Sequence, residues 1–522
     1  MPGKILAASE AVKLVRDQDT VVLVGSGGGT MEPTLLLEAL QERYVQTKHP
    51  RDLTLVHITG IGDREGGGAD RFALPGFVRR VIGGHWYWSV NLCKMAYANE
   101  IEAYNLPQGV ISHLIREIAA GRPGVITKVG MKTFADPRVE GGKLNEAAKE
   151  DLVKIITIDG EEYLLYKAFP VTVALIRGTT ADEQGNITFE HEGVCLDALT
   201  AAQAAKNCGG KVLVQVKRVT ETGTLMHPMM VKVPGILVDA VVVDENQRQT
   251  SDIHFDPSLC GETRQPLGAT PPMEMSERKI IARRAAMELR PGAVINLGFG
   301  MPDGVGSVSV EEGIANLINL TVELGPIGGV PLLGRNFGIA RNPLAIIDQP
   351  SMFDFYHGGG LVITFLGFGQ VDRAGNVNVS KVGGRIIGTG GFIDISQCSK
   401  KVVFCGTFTV GGIEVNVSDA GPEIVQEGRI KKFVQTVDQI TFSGEYARER
   451  GQSVLYVTER AVFQLRPEGL TLVEVTPGID IERDILEQME FPPVIAADLK
   501  TMDVRLYRQS PMGLKNDPVW RS

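Results

Sequence analysis

The chain has 522 residues, 43% of them hydrophobic and 22% charged, which allows a sizeable core and excludes extended disorder. At roughly 150 residues per domain, that length implies three or four domains or two large ones. Its 53 Lys and Arg against 62 Asp and Glu give a net charge of −9, which excludes broad nucleic-acid binding but not one local anion pocket. No apolar run approaches the ~18 residues of a membrane span, and the N-terminal MPGKILAASE lacks the apolar core of a signal peptide. A soluble, cytoplasmic protein is expected. Cys93, Cys195, Cys208, Cys260, Cys398 and Cys405 form no Cys-x-x-Cys pair, which suits a reducing compartment and no zinc module.

In chain order, the run VVLV at 21–24 ends in GSGGGT at 25–30, and LTLVHITGIGD follows at 53–63. The stretch GGHWYWSV at 83–90 carries Trp86, Tyr87 and Trp88, which core or interface packing explains better than substrate contact. NLPQGVISHLIR follows at 105–116, VALIRGTTADEQGNITF at 173–189, and DALTAAQAAKNCGGKVLVQV at 197–216. Residues 255–275, rich in Pro, Gly and Thr, read as a linker. SERKIIARRAAMELR at 276–290 has helical spacing, with Ser276 as N-cap and Pro291-Gly292 as the stop. AVINL at 293–297 then ends in GFGMPDGVG, and INLTVELGPIGG comes at 318–329. ITFLGFGQVDRAGNVNVS at 363–380 and GGFIDISQCSKKVVFCGT at 390–407 complete the pattern. Glycine, at 61 residues about 12% of the chain, clusters directly after β-branched runs. Short apolar runs that end in glycine turns and alternate with helices predict parallel α/β structure, with ligands at the carboxyl ends of the strands.

Four landmarks recur in one order in both halves, including Asp-x-x-Gly-Asn at Asp182 to Asn186 and at Asp372 to Asn376. The reading is two homologous open α/β domains, residues 1–254 and 276–522, joined by 255–275. From Gly25 to Asp182 is 157 positions and from Gly298 to Asp372 is 74, so the first copy carries about 83 extra residues after its second strand.

The glycine loops fit neither common nucleotide motif. Thr30, Asp303 and Ile393 stand where the third glycine of G-x-G-x-x-G belongs, and no glycine cluster runs into Lys-Ser or Lys-Thr. What remains is a set of backbone amides able to hold an anion or an oxyanion. No G-x-S-x-G or H-E-x-x-H is present, and His57, His85, His113 and His357 are scattered. The outlier is Glu323, a carboxylate placed by the run Leu320-Thr321-Val322 at a strand's end, before Gly325, Gly328 and Gly329. The first copy has Val56-His57 in that place. A loop cap or an arginine partner would also explain Glu323; covalent acyl chemistry is the functional reading.

TVELGPIGGVP at 321–331, NLGFGMP at 296–302, NLPQGV at 105–110, FDFYHGGG at 353–360, IGTGGFIDIS at 387–396 and VTERAVF at 457–463 together resemble the family I coenzyme A transferases over about residues 5–505. The resemblance implies an α-subunit-like and a β-subunit-like domain fused in one chain, and exchange of CoA between acyl-CoA and short-chain acids. It implies Glu323 as nucleophile, passing through an anhydride and a glutamyl-CoA thioester. It assigns CoA binding and the oxyanion loop to Gly298, Phe299, Gly300, Met301, Gly390 and Gly391, and the acid side to Gly27, Gly28 and Gln108. CoA is then substrate and covalent intermediate, with no metal and no tightly bound cofactor, and a homodimer or homotetramer is expected. Lys381 and Arg385 lie near the right loop for its phosphates, but solvated charge is the better default for each. An acyl-CoA hydrolase on the same fold, or a sensor that binds acyl-CoA without turnover, are the alternatives.

Overall fold

The computed structural model describes residues 3–224, 227–266 and 272–521. It divides into two compact units: Met1–Gln265 with Val322–Asp354 and Ile386–Asp394, and Pro266–Thr321 with Phe355–Arg385 and Ile395–Ser522. These units are not the contiguous halves 1–254 and 276–522, since two segments of the second half pack in unit 1. Of the expected linker, residues 267–271 lie outside the described residues. Its first part is tied into unit 1, where Asn342 N–H donates to Ser258 O at 2.8 Å and Asn342 Oδ1 accepts from Gln265 N–H at 3.0 Å.

Unit 1 is built on seven strands: β1 Thr20–Leu23, β2 Leu53–His57, β3 Val78–Gly83, β4 Glu102–Asn105, β5 Val173–Arg177, β6 Lys211–Val216 and β7 Ala240–Val243. They lie in the order β7-β6-β5-β1-β2-β3-β4, every neighbouring pair parallel. β1, β2 and β5 read as continuous β-branched and leucine runs because both faces are covered; β2 and β5 are buried at every position.

In unit 2 the strands are β8 Val294–Leu297, β9 Asn319–Thr321, β10 Ile363–Gly367, β11 Lys401–Cys405, β12 Ser453–Val457, β13 Ala461–Arg466, β14 Gly469–Val475 and β15 Val494–Thr501. They follow the order β9-β8-β10-β11-β12-β13-β14-β15, parallel as far as β12. The first five thus repeat the order of β2-β1-β5-β6-β7, and the two homologous α/β domains expected from the sequence share one topology. The insertion in the first copy supplies β3, β4, the helix Gln108–Ala119 and a three-stranded antiparallel sheet. The helix after the linker runs Glu277–Ala286, capped by Ser276 Oγ accepting from Lys279 N–H. It ends earlier than its pattern suggests, because Glu288 and Leu289 tighten into i→i−3 bonds onto Ala285 and Ala286.

Both Asp-x-x-Gly-Asn turns are built alike. Asp182 Oδ1 accepts from Gln184 N–H at 3.0 Å and Asn186 N–H at 2.9 Å; Asp372 Oδ1 accepts from Ala374 and Asn376 N–H, both at 3.0 Å. Each asparagine then accepts from a distant glycine amide, Gly235 at 2.8 Å and Gly444 at 2.9 Å.

Candidate functional site

Glu323 stands in the turn that follows β9. Gly325 N–H donates to Val322 O and Val322 N–H to Pro326 O, both at 2.9 Å, so the turn closes on itself. Ile347 N–H holds Gly325 O at 3.1 Å. Gly325 has φ 125°, and a Cβ there would collide with Ile347 O, so no side chain fits. Val322 and Leu324 are buried and Glu323 between them is half-buried. Upstream, the strand is anchored by Thr321, whose Oγ1 donates to Ile295 O at 2.8 Å and accepts from Tyr356 OH at 2.8 Å.

Unit 1 also holds Gly27, Gly28, Gln108, Gly390 and Gly391. Asn105, fully buried, joins three of the sequence blocks. Its Nδ2 donates to Gly83 O and Gly84 O at 2.7 Å, and its Oδ1 accepts from Thr389 N–H at 3.0 Å. The chain then turns through Pro107 into the helix Gln108–Ala119, and Gln108 N–H donates to Gly390 O at 3.0 Å. The Gln108 side chain is 4% exposed, and its Nε2 has no hydrogen-bond partner among the described residues. A buried amide left without an acceptor is costly, and a carboxylate or an oxyanion would relieve it.

The amides differ from the expectation. Gly390 N–H is committed to Gly84 O at 2.7 Å, and Gly298 N–H to Phe365 O at 2.8 Å. Neither can serve an oxyanion while those bonds last. Gly391, Gly300 and Met301 keep amides without an acceptor among the described residues. In unit 2 the 298–301 loop is held by Arg278, whose Nη2 donates to Gly300 O at 2.8 Å and pairs with Asp303. The loop leads into the helix Gly304–Glu311, and Phe299 is 54% exposed.

Residues 5–244 match the family model described as coenzyme A transferase. The chain is 48% identical over 510 residues to the acetate CoA-transferase YdiF of Escherichia coli K12, covering 98% of this chain and 96% of that one. It is 47% identical over 520 residues to the caffeate CoA-transferase of Acetobacterium woodii, covering 98% and 99%. The chain belongs to the coenzyme A transferase family. Its fold superposes on the crystal structure of the acyl-CoA transferase YdiF apoenzyme from E. coli O157:H7 with a TM-score of 0.94, at 47% identity over 98% of this chain and 97% of that one. A second structure of that relative, described as a thioester complex with CoA, gives 0.92.

Three side chains of this transferase gain a place beside the glycine turns: Trp88, read from sequence as packing, His85, read as one of several scattered histidines, and Glu32, which the sequence reading passed over. Trp88 packs on the glycine turn: a Cβ on Gly27 would lie 2.6 Å from its Nε1, and one on Gly60 2.7 Å from its Cδ1. Trp86, by contrast, is wholly buried and donates Nε1–H to Tyr104 O at 3.3 Å, as core packing predicts. His85 faces the same region as Gln108; a Cβ on Gly390 would be 3.3 Å from His85 Cδ2 and 3.5 Å from Gln108 Oε1. Burial first, and neighbouring His57 second, push the His85 imidazole down to about 4, so it is neutral at pH 7. Glu32, behind the Gly27 turn, is pushed up to about 7 by burial. The sequence signals were glycines: Gly27 makes room for Trp88, and Gly60 for both Trp88 and His85. Among the described residues no cluster of His, Cys, Asp and Glu could hold a metal ion.

Proposed function

We propose that this transferase exchanges CoA between short-chain acyl-CoA thioesters and free carboxylic acids, by a ping-pong route through Glu323. The observation that carries the reading is a half-buried carboxylate on a turn that glycine and backbone bonds hold fixed at a strand's end. Such a group is preorganised as a nucleophile. Its carboxylate attacks the acyl-CoA carbonyl and expels CoA thiolate, leaving an acyl–glutamyl anhydride. The thiolate then attacks the glutamyl carbonyl, the first acid departs, and a glutamyl-CoA thioester remains. A second acid reverses both steps.

Each tetrahedral step develops an oxyanion, for which Gly391, in the same unit as Glu323, keeps an amide without an acceptor among the described residues. Gln108 Nε2 is suited to the departing or incoming carboxylate, on the acid side that the resemblance also assigns to Gly27 and Gly28. A neutral amide holds an acid without the charge that would quench its nucleophilicity. The relative solved as a thioester complex with CoA supports the covalent intermediate. That one relative is named for acetate and another for caffeate at nearly equal identity leaves acid choice to the pocket walls. We place the enzyme in the cytoplasm as a homo-oligomer, to be checked by fractionation and light scattering.

The test is trapping. Incubation with acetyl-CoA and no acid should accumulate the thioester, and borohydride should then reduce it to the alcohol. Mass spectrometry should find a loss of about 14 Da at residue 323 alone, with protection by acetate. Inactivation with Glu323 unmodified refutes the reading.

A further inference from the structure

Unit 1 contains a cleft to which the transfer chemistry assigns no role. It opens at the carboxyl ends of three neighbouring strands, where α/β folds bind ligands. Arg177 ends β5, Lys217 follows β6, Arg248 and His254 lie on the loop after β7, and His191 completes the lining. The cleft measures about 210 Å³, counted with the space at its open mouth. That is below the ~300–1,000 Å³ of sites for larger organic ligands, so a small ion suits it better than a nucleotide or an acyl-CoA. Gln108 follows β4, and the ends of β4 and β6 are five strand spacings apart, about 24 Å.

Charge decides what such a cleft takes. Its lining holds three cations, Arg177, Lys217 and Arg248, against one carboxylate, Glu192, in a chain of net charge −9. The buried Arg177 is spent on structure. Its Nε and Nη2 donate to Glu192 at 2.9 and 2.8 Å, its Nη2 also to Gln249 O at 3.2 Å, and its Nη1 to Gly29 O and Glu32 O at 3.2 and 3.3 Å. Glu192 thereby balances Arg177 and leaves the other two cations unbalanced. The half-buried Lys217 ammonium has no acceptor and no ion-pair partner among the described residues. Arg248 has only a carbonyl, Asp252 O, at 3.2 Å. The His191 ring stacks on Phe255 at 4.4 Å, and its buried Nδ1 has no hydrogen-bond partner among the described residues. Its Nε2 is 3.9 Å from Glu262. Two unbalanced cations at one concave surface focus a positive potential, and an oxygen acceptor entering there would also relieve the unpaired ring nitrogen.

The wall of the cleft continues into the glycine turn after β1. Gln249 is fixed by Arg177 and by its own Nε2, which donates to His191 O at 2.8 Å. Two residues on, Ser251 N–H donates to Gly28 O at 2.7 Å, and a Cβ on Gly29 would lie 2.6 Å from Ser251 Oγ. We propose that this cleft is an effector site for a small phosphate-type dianion, free or as a compact monoester, held between Lys217 and Arg248. Occupancy ties residues 247–251 to the end of β6 and so steadies the turn that Ser251 holds. The effect on transfer rests on the reading of Gly27 and Gly28 as the acid side; the binding does not.

Calorimetric titration of the full-length protein with inorganic phosphate and with glycerol 3-phosphate, at constant ionic strength, tests the site without turnover. One dianion should bind per chain. Lys217→Ala and Arg248→Ala should each weaken it roughly tenfold or more, the worth of one charge-assisted hydrogen bond, while Lys217→Arg stays within about threefold. Nitrate, with a single charge, should bind at least about tenfold more weakly. Glu323→Gln should bind phosphate as the wild type does, so failure of the nucleophile assignment leaves the site standing. Binding of neither dianion at millimolar concentration overturns the proposal. So does affinity unchanged in the Lys217→Ala, Arg248→Ala double variant, displacement by CoA, or nitrate binding as tight as phosphate. If Lys217→Ala does not fold, the exposed Arg248 supplies the deciding variant. In initial-rate assays, saturating phosphate should lower KM for acetate by about twofold or more in the wild type and leave Arg248→Ala unmoved. A bound dianion with KM unchanged overturns the effector role.

Discussion

The second strands of the two units, β2 and β9, hold the same place in the same sheet order and end in different chemistry. β2 runs into His57, wholly buried, whose Nδ1–H donates to Thr59 O at 2.7 Å. β9 stops at Thr321 and turns at once, so Glu323 stays half-buried on a loop closed by Gly325. A continued strand buries its last side chain; an early turn presents one. Duplication supplied the frame twice, and the length of one strand decides which copy presents a carboxylate.

The largest expected effect breaks that contrast directly. Glu323→Gln should reduce transfer by about 10⁴-fold or more while the melting temperature and CoA affinity stay near wild type, since an amide is a poor nucleophile. Activity within tenfold of wild type would remove Glu323 from the role. Next is the turn. Gly325→Val puts a β-branched side chain against Ile347 O at φ 125°, and should cost about 3 kcal/mol in urea unfolding and lower kcat further than KM. A variant as stable as the wild type would show the turn to be pliable.

The third prediction concerns the other strand end. Burial lowers the His57 imidazole to about 4, and His85 likewise, against 6.5 unfolded. Above about pH 6.5 both states are neutral and stability is unaffected. As pH falls from 6.5 toward 4 the unfolded chain takes up protons that the native chain refuses, and stability drops, by at most about 3 kcal/mol for His57. Urea midpoints at pH 7.5, 5.5 and 4.5 measure this; a flat profile would mean that the rings are not sealed. The smallest effect sharpens the likeness. Asp182→Ala and Asp372→Ala remove equivalent turn bonds and should each cost about 1–2 kcal/mol, equal within error. A large inequality would show that one unit depends on its turn more than the other.

Much of this was legible in the chain. Recurrence of four landmarks in order anticipated the shared strand order, because period and turn chemistry are local. The position of the extra 83 residues anticipated where β3 and β4 enter. Glu323 and Gln108 stood out through motif resemblance. What was not legible depends on pairs far apart in sequence. Gly390 is a free donor on paper, and only the packing of residues 84 and 390 shows that amide to be taken. Lys432 reads as one of several charges in GRIKKFV, and only the end of β11 reveals it as buried. The interleaving of the units is equally silent, since Val322–Asp354 has the composition of an ordinary loop.

That interleaving has a consequence for biosynthesis. Unit 1 takes its last segment, Ile386–Asp394, from far beyond Gln265. On the ribosome, the first seven strands emerge well before the pieces that complete their surroundings, including the turn that bears Glu323. At 5–20 residues per second the delay is on the order of ten seconds. Through that interval the nascent chain exposes the faces that these segments later cover.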